Sequence, residues 1–121
     1  MVDKPRTKFP WRLFHALCAV VILAFSSIPF TVSQEEPSLV SDKLIHFTEY
    51  GIFGFLGGLA YLETRRGLVL LLVFGAAFAG LDEFWQSFVP GRNSDVDDFW
   101  ADQAGHVLGA LIGYWMAKRR R

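Results

Sequence analysis

The chain has 121 residues, a length typical of one domain, and it is rich in apolar and aromatic side chains, which make up 52% and 16% of its residues. Its 12 basic and 12 acidic residues give a formal net charge of zero, and its one cysteine excludes an intramolecular disulfide. The sequence contains no glycine-rich phosphate-binding loop, no nucleophile elbow and no C-x-x-C pair, which excludes the enzyme classes that depend on those motifs.

The charged residues are clustered between the apolar runs, so the mean hydropathy is a modest +0.30. Basic residues occupy the N-terminus, a connection at Arg65 and Arg66, and the C-terminal residues 118–121. Acidic residues occupy the two other connections, around Glu35 and Asp95. This alternation, together with the lengths of the apolar runs, favours a protein that crosses a bilayer several times.

The first apolar run, residues 11–30, has about the 20 residues that a membrane-spanning helix needs, and Pro29 marks its predicted end. The same run has an alternative interpretation as a signal peptide, because a basic segment precedes it and the small residues Thr31 and Ser33 follow it. The run is long for a signal peptide and no A-x-A motif follows it. We therefore expect a retained helix, with cleavage as the alternative.

Three further helices are predicted along the rest of the chain. The second begins at residue 42, the third covers residues 68–88, and the fourth begins at residue 98. Residues 64–67 are predicted to form a tight basic turn between the second and the third. The second and the fourth helices carry glycines four residues apart, which predicts close packing against another helix. These are Gly54, Gly58, Gly105, Gly109 and Gly113.

The positive-inside rule orients these helices. The three basic segments all lie in the cytoplasm if the chain crosses the membrane four times. We therefore expect an all-α integral membrane four-helix bundle with short connecting loops, in the cell (inner) membrane, with both termini cytoplasmic. Residues 1–10 form a basic arm, residues 11–117 the four-helix domain and residues 118–121 a basic tail. Because the tail directly follows an apolar segment, it is typical of an anchor for anionic lipid and not of a nucleic-acid-binding segment.

This topology gathers the ionisable residues of three helices at the outer end of the bundle. Side chains four residues apart share a helix face, as Asp98 and Asp102 do. Ionisable groups at the rim of membrane-length apolar segments are costly and are usually paired or functional. Glu49 and His106 fall on the same side. The predicted cluster consists of Asp42, Lys43, His46, Asp82, Glu83, Gln86, Arg92, Asp98 and Asp102.

Three interpretations of this cluster are open. In the first, Lys43 and Arg92 pair with the carboxylates, and the ion pairs only lock the helix ends together. In the second, the carboxylates and imidazole hold a divalent metal ion. In the third, the cluster is a pocket for an anionic or polar headgroup, where Arg92 and Lys43 contact the anion and an acid or His46 acts as general acid or base.

Four short motifs follow one another along the chain: D-K-x-x-H with a following tyrosine, D-E-x-x-Q, P-G-R and D-x-x-x-[ND]-x-x-G. They fall at Asp42, Lys43, His46, Tyr50, Asp82, Glu83, Gln86, Pro90, Gly91, Arg92, Asp98, Asp102 and Gly105. The order of these motifs resembles that of the VanZ-like membrane proteins over roughly residues 11–117. The family is named for a member linked to low-level resistance to teicoplanin. The resemblance implies a membrane location and a set of motif positions, and it implies no particular reaction. Where this chain has Asp102, the family more often has Asn.

We therefore expect a cell-envelope protein that binds, or chemically handles, an anionic, lipid-linked or cell-wall-related polar group at the outer membrane interface. The expected catalytic residues are Glu83, Asp82, His46 and Asp98. The expected ligand-binding residues are Arg92, Lys43, Gln86, Asp42 and Asp102. The alternative is a non-enzymatic membrane scaffold or partner subunit whose ion pairs are structural. An oligomer is compatible with both, and a divalent metal is the one candidate cofactor.

Overall fold

The computed structural model describes residues 9–29, 39–61, 64–92 and 94–120, with side chains from residue 42 onward in the second range. All regular structure in these ranges is helical, without any strand, as the sequence predicts. Residues 1–8 of the predicted arm (residues 1–10), the candidate cleavage region at residues 31–33 and the last tail residue lie outside the described residues. The helices are α1 (Trp11–Ser26), α2 (Leu39–Tyr61), α3 (Arg65–Gln86) and α4 (Val96–Arg119).

The start of α3 is set by a capping side chain. Thr64 has an extended backbone, and its Oγ1 accepts a hydrogen bond of 3.1 Å from the backbone N–H of Gly67. Such a bond satisfies one of the N–H groups that a helix leaves unpaired in its first turn. Arg65 and Arg66 therefore begin α3, and the predicted tight turn at residues 64–67 is wrong.

Both α2 and α4 begin before their predicted starts. Asp95 caps α4, because its carboxylate accepts a hydrogen bond of 3.0 Å from the backbone N–H of Asp97. This bond lowers the pKa of the exposed Asp95 carboxyl below its usual value, so the group is ionised at neutral pH. Helix α2 begins at Leu39, which places Asp42 in its first turn. A negative charge there is favourable beside the positive end of the helix dipole.

Helices α1 and α3 end earlier than predicted. Helix α1 ends at Ser26, and the hydroxyl of Ser27 donates a hydrogen bond of 2.6 Å to a backbone carbonyl of the last turn. Helix α3 ends at Gln86. The connection to α4 contains Gly91 with φ of 77°, a left-handed conformation that glycine adopts without strain.

Helices α2 and α4 run parallel and make the most extensive helix contact in the described part of the chain. Glycines on both helices permit it. A Cβ at Gly54 would overlap the carbonyl oxygen of His106, and a Cβ at Gly109 would overlap that of Gly51. Gly105 faces the α2 backbone in the same way. The predicted glycine seam is therefore confirmed, and α2 is the partner of α4.

Helices α1 and α3 pack against this pair in the opposite direction. At one end of the bundle, Ser26 near the end of α1 accepts a hydrogen bond of 3.0 Å from the side chain of Gln86 in the last turn of α3. The first turns of α2 and α4 lie at this same end, which we call the polar end. At the other end, the guanidinium of Arg12 lies 5.3 Å from the ring centre of Tyr61. That end also carries Arg65, Arg66, Lys118, Arg119 and Arg120.

The bundle exposes large apolar side chains and buries small, aromatic and polar ones. Val20, Val73 and Leu81 are 63%, 61% and 66% exposed. Large apolar side chains are exposed on all four helices. The buried apolar residues in the described ranges are few: Ile22, Tyr50, Phe53, Leu71, Ala79 and Ala110.

Among the helices in the described ranges, α3 alone is long and apolar enough to cross a membrane. It has 22 residues, and its most apolar 18-residue window has a mean hydropathy of 1.8 with only 28% of that window buried in the protein. Helix α1 is apolar but has 16 residues. Helices α2 and α4 carry acidic residues in their first turns. Length and composition thus identify one candidate span, where the sequence analysis predicts four.

The glycine seam makes a prediction about stability. Changing Gly109 to Ala should lower the free energy of unfolding by about 1–3 kcal/mol, because the added methyl group meets the α2 backbone and the helices must move apart. Changing Gly80 to Ala is the matched control, since that position is exposed and only the ring of Phe99 lies near, 4.0 Å from the added Cβ. The control should leave the melting temperature unchanged or raise it. Thermal unfolding of the two purified variants in detergent measures the difference, and equal melting temperatures would contradict a close seam.

Candidate functional site

The polar end of the bundle contains a group of ionisable side chains centred on His46. Its ring Nδ1 is joined to Oδ1 of Asp102 by a hydrogen bond of 2.8 Å and lies 4.0 Å from Oε1 of Glu83. Its Nε2 lies 3.7 Å from Oδ2 of Asp98 and 3.9 Å from Oδ1 of Asp42. Four carboxylates from three helices therefore surround one imidazole. We call Asp42, His46, Asp82, Glu83, Asp98 and Asp102 the acid–histidine cluster.

The helix register explains why these side chains meet. Asp42 and His46 lie one turn apart on α2, and Asp98 and Asp102 lie one turn apart on α4. Because α2 and α4 are parallel and in close contact, these two columns face each other turn by turn. Glu83 reaches the same place from the last turn of α3, which runs in the opposite direction.

Lys43 occupies the rim of the cluster. Its ammonium group contacts Asp98 and lies 3.4 Å from the carboxylate of Asp95 and 3.9 Å from that of Asp42. The side chain is 24% exposed, so the group reaches solvent while it pairs with the protein. Lys43 therefore neutralises the outer part of the cluster, and it bridges the start of α2 to the start of α4.

Asp82 lies on the inner side of the cluster and is 1% exposed. The hydroxyl of Tyr50 donates a hydrogen bond of 2.9 Å to its Oδ2. Gln86, expected from the sequence to lie beside the acids, donates instead to Ser26 on α1. The structure thus gives Gln86 a role in joining α1 to α3 at the polar end.

Arg92 lies beyond α3 and points toward the end of α1. Its Nε donates a hydrogen bond of 3.0 Å to the carbonyl oxygen of Ile28, and its Nη2 donates to that of Phe25. A cation at the carbonyl end of a helix is favourable, because the unpaired carbonyl groups carry partial negative charge there. Arg92 is partly buried, and its guanidinium lies at the same end of the bundle as the cluster.

Three buried carboxylate oxygens of the cluster have no hydrogen-bond partner among the described residues. They are Oδ1 of Asp82, Oε1 of Glu83 and Oδ2 of Asp102. The other oxygen of Glu83 accepts a hydrogen bond of 3.3 Å from the hydroxyl of Ser94. Unsatisfied buried acceptors of this kind are uncommon in folded proteins and point to a proton, a bound ion or a ligand.

The cluster offers two overlapping sets of metal ligands that share His46. The outer set adds Asp42 and Asp98, and the inner set adds Glu83 and Asp102. In each set the ligand atoms lie within 4.8 Å of one another. The arrangement can therefore exchange protons between imidazole and carboxylate, or hold a cation between them.

The structure brings together most of the residues that the sequence singled out, and it adds three. Ser26, Tyr50 and Ser94 bond to the predicted site residues; of these, Tyr50 was a motif position without an assigned role, and the two serines were not singled out. Tyr50 continues the column of Asp42 and His46 at the same four-residue spacing, which is the signal that could have identified it. The two serines belong to connections and the end of α1, where no periodicity indicates their contacts. His106, one turn beyond Asp102, instead packs its ring on Gly75 and 5.6 Å from that of Phe53.

The hydrogen bond from Tyr50 makes a prediction. Changing Tyr50 to Phe should lower the free energy of unfolding by about 1–3 kcal/mol, because it leaves a second oxygen of the buried Asp82 without a donor. Tyr61→Phe is the matched control, since Tyr61 is 40% exposed. Thermal unfolding in detergent measures both variants, and an equal melting temperature for the two would contradict the role of this hydrogen bond.

The comparisons with known proteins place the chain in a family. Residues 6–118, nearly the whole chain, match the sequence profile of the VanZ/LLP1 family. Among curated proteins and among solved structures, no significant match is found. The resemblance that rests on the motif order is thereby confirmed, and the motifs supply all six residues of the acid–histidine cluster. The chain belongs to the VanZ/LLP1 family.

Proposed function

We propose that this VanZ-family protein is a multi-pass protein of the cell (inner) membrane, in which all four helices cross the bilayer and both termini are cytoplasmic. The exposed apolar side chains of every helix support this, because lipid is the solvent that such a surface matches. The separation of charge also supports it. Six basic residues lie at one end of the bundle, and the acid–histidine cluster lies at the other end with Lys43 and Arg92, a distribution that agrees with the positive-inside rule for an exterior cluster.

The helices other than α3 are compatible with this proposal for separate reasons. Helix α1 rises about 24 Å over its 16 residues, which approaches the thickness of the hydrocarbon core. Helices α2 and α4 have 23 and 24 residues, and the acidic residues of their first turns, Asp42, Asp97 and Asp98, lie at the level of the headgroups in this proposal. Glu49, near the middle of α2, and Asp102, in the second turn of α4, lie deeper, so the proposal places both of these carboxyl groups inside the bundle at membrane depth.

We propose further that the polar end binds, and chemically handles, an anionic, lipid-linked or cell-wall-related polar group at the outer interface. The observation that carries this proposal is His46, buried within 4.0 Å of four carboxylates. A buried set of acids around one imidazole costs stability, and ionisable groups at such positions usually belong to functional sites.

Each residue of the polar end has a role in this proposal. Lys43 and Arg92 are both partly exposed, and they contact the anion from the rim. Beside Lys43, the anion takes the place of the exposed carboxylate of Asp95. His46 transfers the proton, and Asp102 orients its ring through their hydrogen bond. Asp82, Glu83 and Asp98 are the acids that position the group or exchange protons with it. Asp42 lies at the rim, and Gln86 holds α1 in place through its hydrogen bond to Ser26.

A structural role is the second candidate, and a specific observation favours it. Lys43 has three carboxylates of this chain around it, and Arg92 donates to two backbone carbonyl groups of the α1 end. Both cations thus already join helix ends to one another. In that case the protein is a non-enzymatic membrane scaffold or partner subunit, and the cluster serves the fold alone.

We propose that handling of this group raises resistance to teicoplanin, the property linked to the member for which the family is named, so a teicoplanin-susceptibility assay separates these two candidates. In a host whose minimum inhibitory concentration the wild-type chain raises, Glu83→Gln should abolish the increase while the variant accumulates in the membrane at the wild-type level, because only the carboxylate is lost. Asp97→Asn is the control, since Asp97 is exposed outside the cluster, and it should retain the increase. A parallel fall in resistance and membrane level would favour the scaffold, and a wild-type chain without effect would contradict the resistance role.

Cysteine labelling tests the topology. In a chain whose Cys18 is replaced by Ser, a cysteine at position 96, where Val96 is 71% exposed, should react with a membrane-impermeant maleimide in intact cells. A cysteine in place of Arg66, exposed at the opposite end, should react only after permeabilisation. The reverse pattern, or equal labelling of both, would contradict the proposed orientation.

A further inference from the structure

The inner ligand set of the acid–histidine cluster combines three side chains from three helices. His46, Glu83 and Asp102 each offer one ligand atom, and these three atoms lie within 4.8 Å of one another. All three residues are buried, at 6%, 7% and 0% exposure. The Nδ1 atom lies 2.8 Å from Asp102 and 4.0 Å from Glu83. These separations bracket the roughly 3.4 Å between two atoms that bind one tetrahedral metal ion at about 2.1 Å.

A second observation points to a ligand at this position. Oε1 of Glu83 and Oδ2 of Asp102 are buried and have no hydrogen-bond partner among the described residues. Lys43 pairs with the outer acids, and its ammonium contacts Asp98, so its charge is directed to the other side of His46. The two inner acids thus provide free acceptor capacity next to an imidazole nitrogen, which is what a bound cation uses.

The neighbours of the inner set have the arrangement that supports a metal-bound histidine. While Nδ1 faces the inner acids, Nε2 faces the carboxylates of Asp98 and Asp42 at 3.7 and 3.9 Å. Histidine ligands of metals usually direct their second nitrogen to a carboxylate, which fixes the tautomer and the ring orientation. The hydroxyl of Ser94 likewise holds the second oxygen of Glu83.

We propose that His46, Glu83 and Asp102 bind one divalent transition-metal ion of the Zn²⁺ class. One imidazole and two carboxylates form a mixed nitrogen and oxygen set, which favours Zn²⁺ over Mg²⁺ or Ca²⁺, because the latter two prefer oxygen ligands alone. Three protein ligands leave a coordination position open, as in metal sites that bind a further group. This site goes beyond the proposed function and does not depend on it, because metal binding is measured without any assay of resistance or polar-group binding.

The test is metal binding by the untagged full-length chain, purified in detergent, stripped with EDTA and dialysed. Titration calorimetry with ZnCl₂ should show about one Zn²⁺ per chain, and the melting temperature should rise with added Zn²⁺. Millimolar MgCl₂ should produce neither effect. A folded wild-type chain that does not bind Zn²⁺, or that binds Mg²⁺ equally well, would overturn the proposal.

Isosteric variants identify the ligands. Asp102→Asn and Glu83→Gln should each weaken Zn²⁺ binding by more than about 100-fold, whereas Asp98→Asn should weaken it by only about 10-fold, as expected for an outer partner of His46. The control Asp97→Asn should bind like the wild type. Gel filtration checks the folding of each variant. If either Asp102→Asn or Glu83→Gln aggregates, the Zn²⁺ affinity of the other variant and the Zn²⁺-dependent melting temperature of the wild type test the proposal. Wild-type affinity in both inner variants, or a greater loss in Asp98→Asn than in Asp102→Asn, would overturn the proposed ligand set.

Discussion

The close parallel contact between α2 and α4 is the constraint on which the rest of the structure depends. Glycine at positions such as 54, 105 and 109 lets the two backbones approach until a single methyl group would overlap a carbonyl oxygen of the other helix. At that separation, short side chains can meet across the interface. His46 of α2 therefore contacts Asp102 of α4 directly, and Lys43 of α2 contacts Asp98 of α4. The glycine seam thus fixes the register that creates the acid–histidine cluster.

The same contact explains the unusual distribution of polar and apolar residues. Glycines and small residues fill the α2–α4 interface, so the large apolar side chains lie on the outside, and the polar side chains lie in the protected end between three helices. In the proposed bilayer, apolar side chains gain little from leaving lipid, so helix packing and polar contacts must hold the bundle together. The hydrogen bonds of Tyr50 and Gln86 and the backbone contacts of Arg92 are contacts of this kind.

The outer and the inner half of the cluster differ in how their charges are paired. Lys43 balances Asp98 and Asp95 at the rim, whereas Glu83 and Asp102 lie deeper and keep unpaired oxygens. A site with paired charges outside and unpaired acceptors inside is suited to admit a cation or a proton to its inner half. The sequence left open whether Lys43 and Arg92 pair with carboxylates of the chain or contact an anion. The structure gives both of them partners within the chain, carboxylates for Lys43 and backbone carbonyl groups for Arg92.

The sequence by itself determined the helical class, the approximate helix positions, the glycine seam and the identity of the cluster residues. These features depend on local periodicity: glycines recur every fourth residue on α4, and Asp98 and Asp102 share a face for the same reason. The start of α3 was not predicted correctly, because residues 64–67 have the composition of a turn. The single capping hydrogen bond to Thr64 makes them the first turn of a helix instead. Only the tertiary structure decided that α2 is the partner of α4, and that Ser26, Tyr50 and Ser94 complete the polar end. It alone separated the inner acids from those paired with Lys43, because contacts between distant segments depend on helix direction and register, which no local spacing encodes.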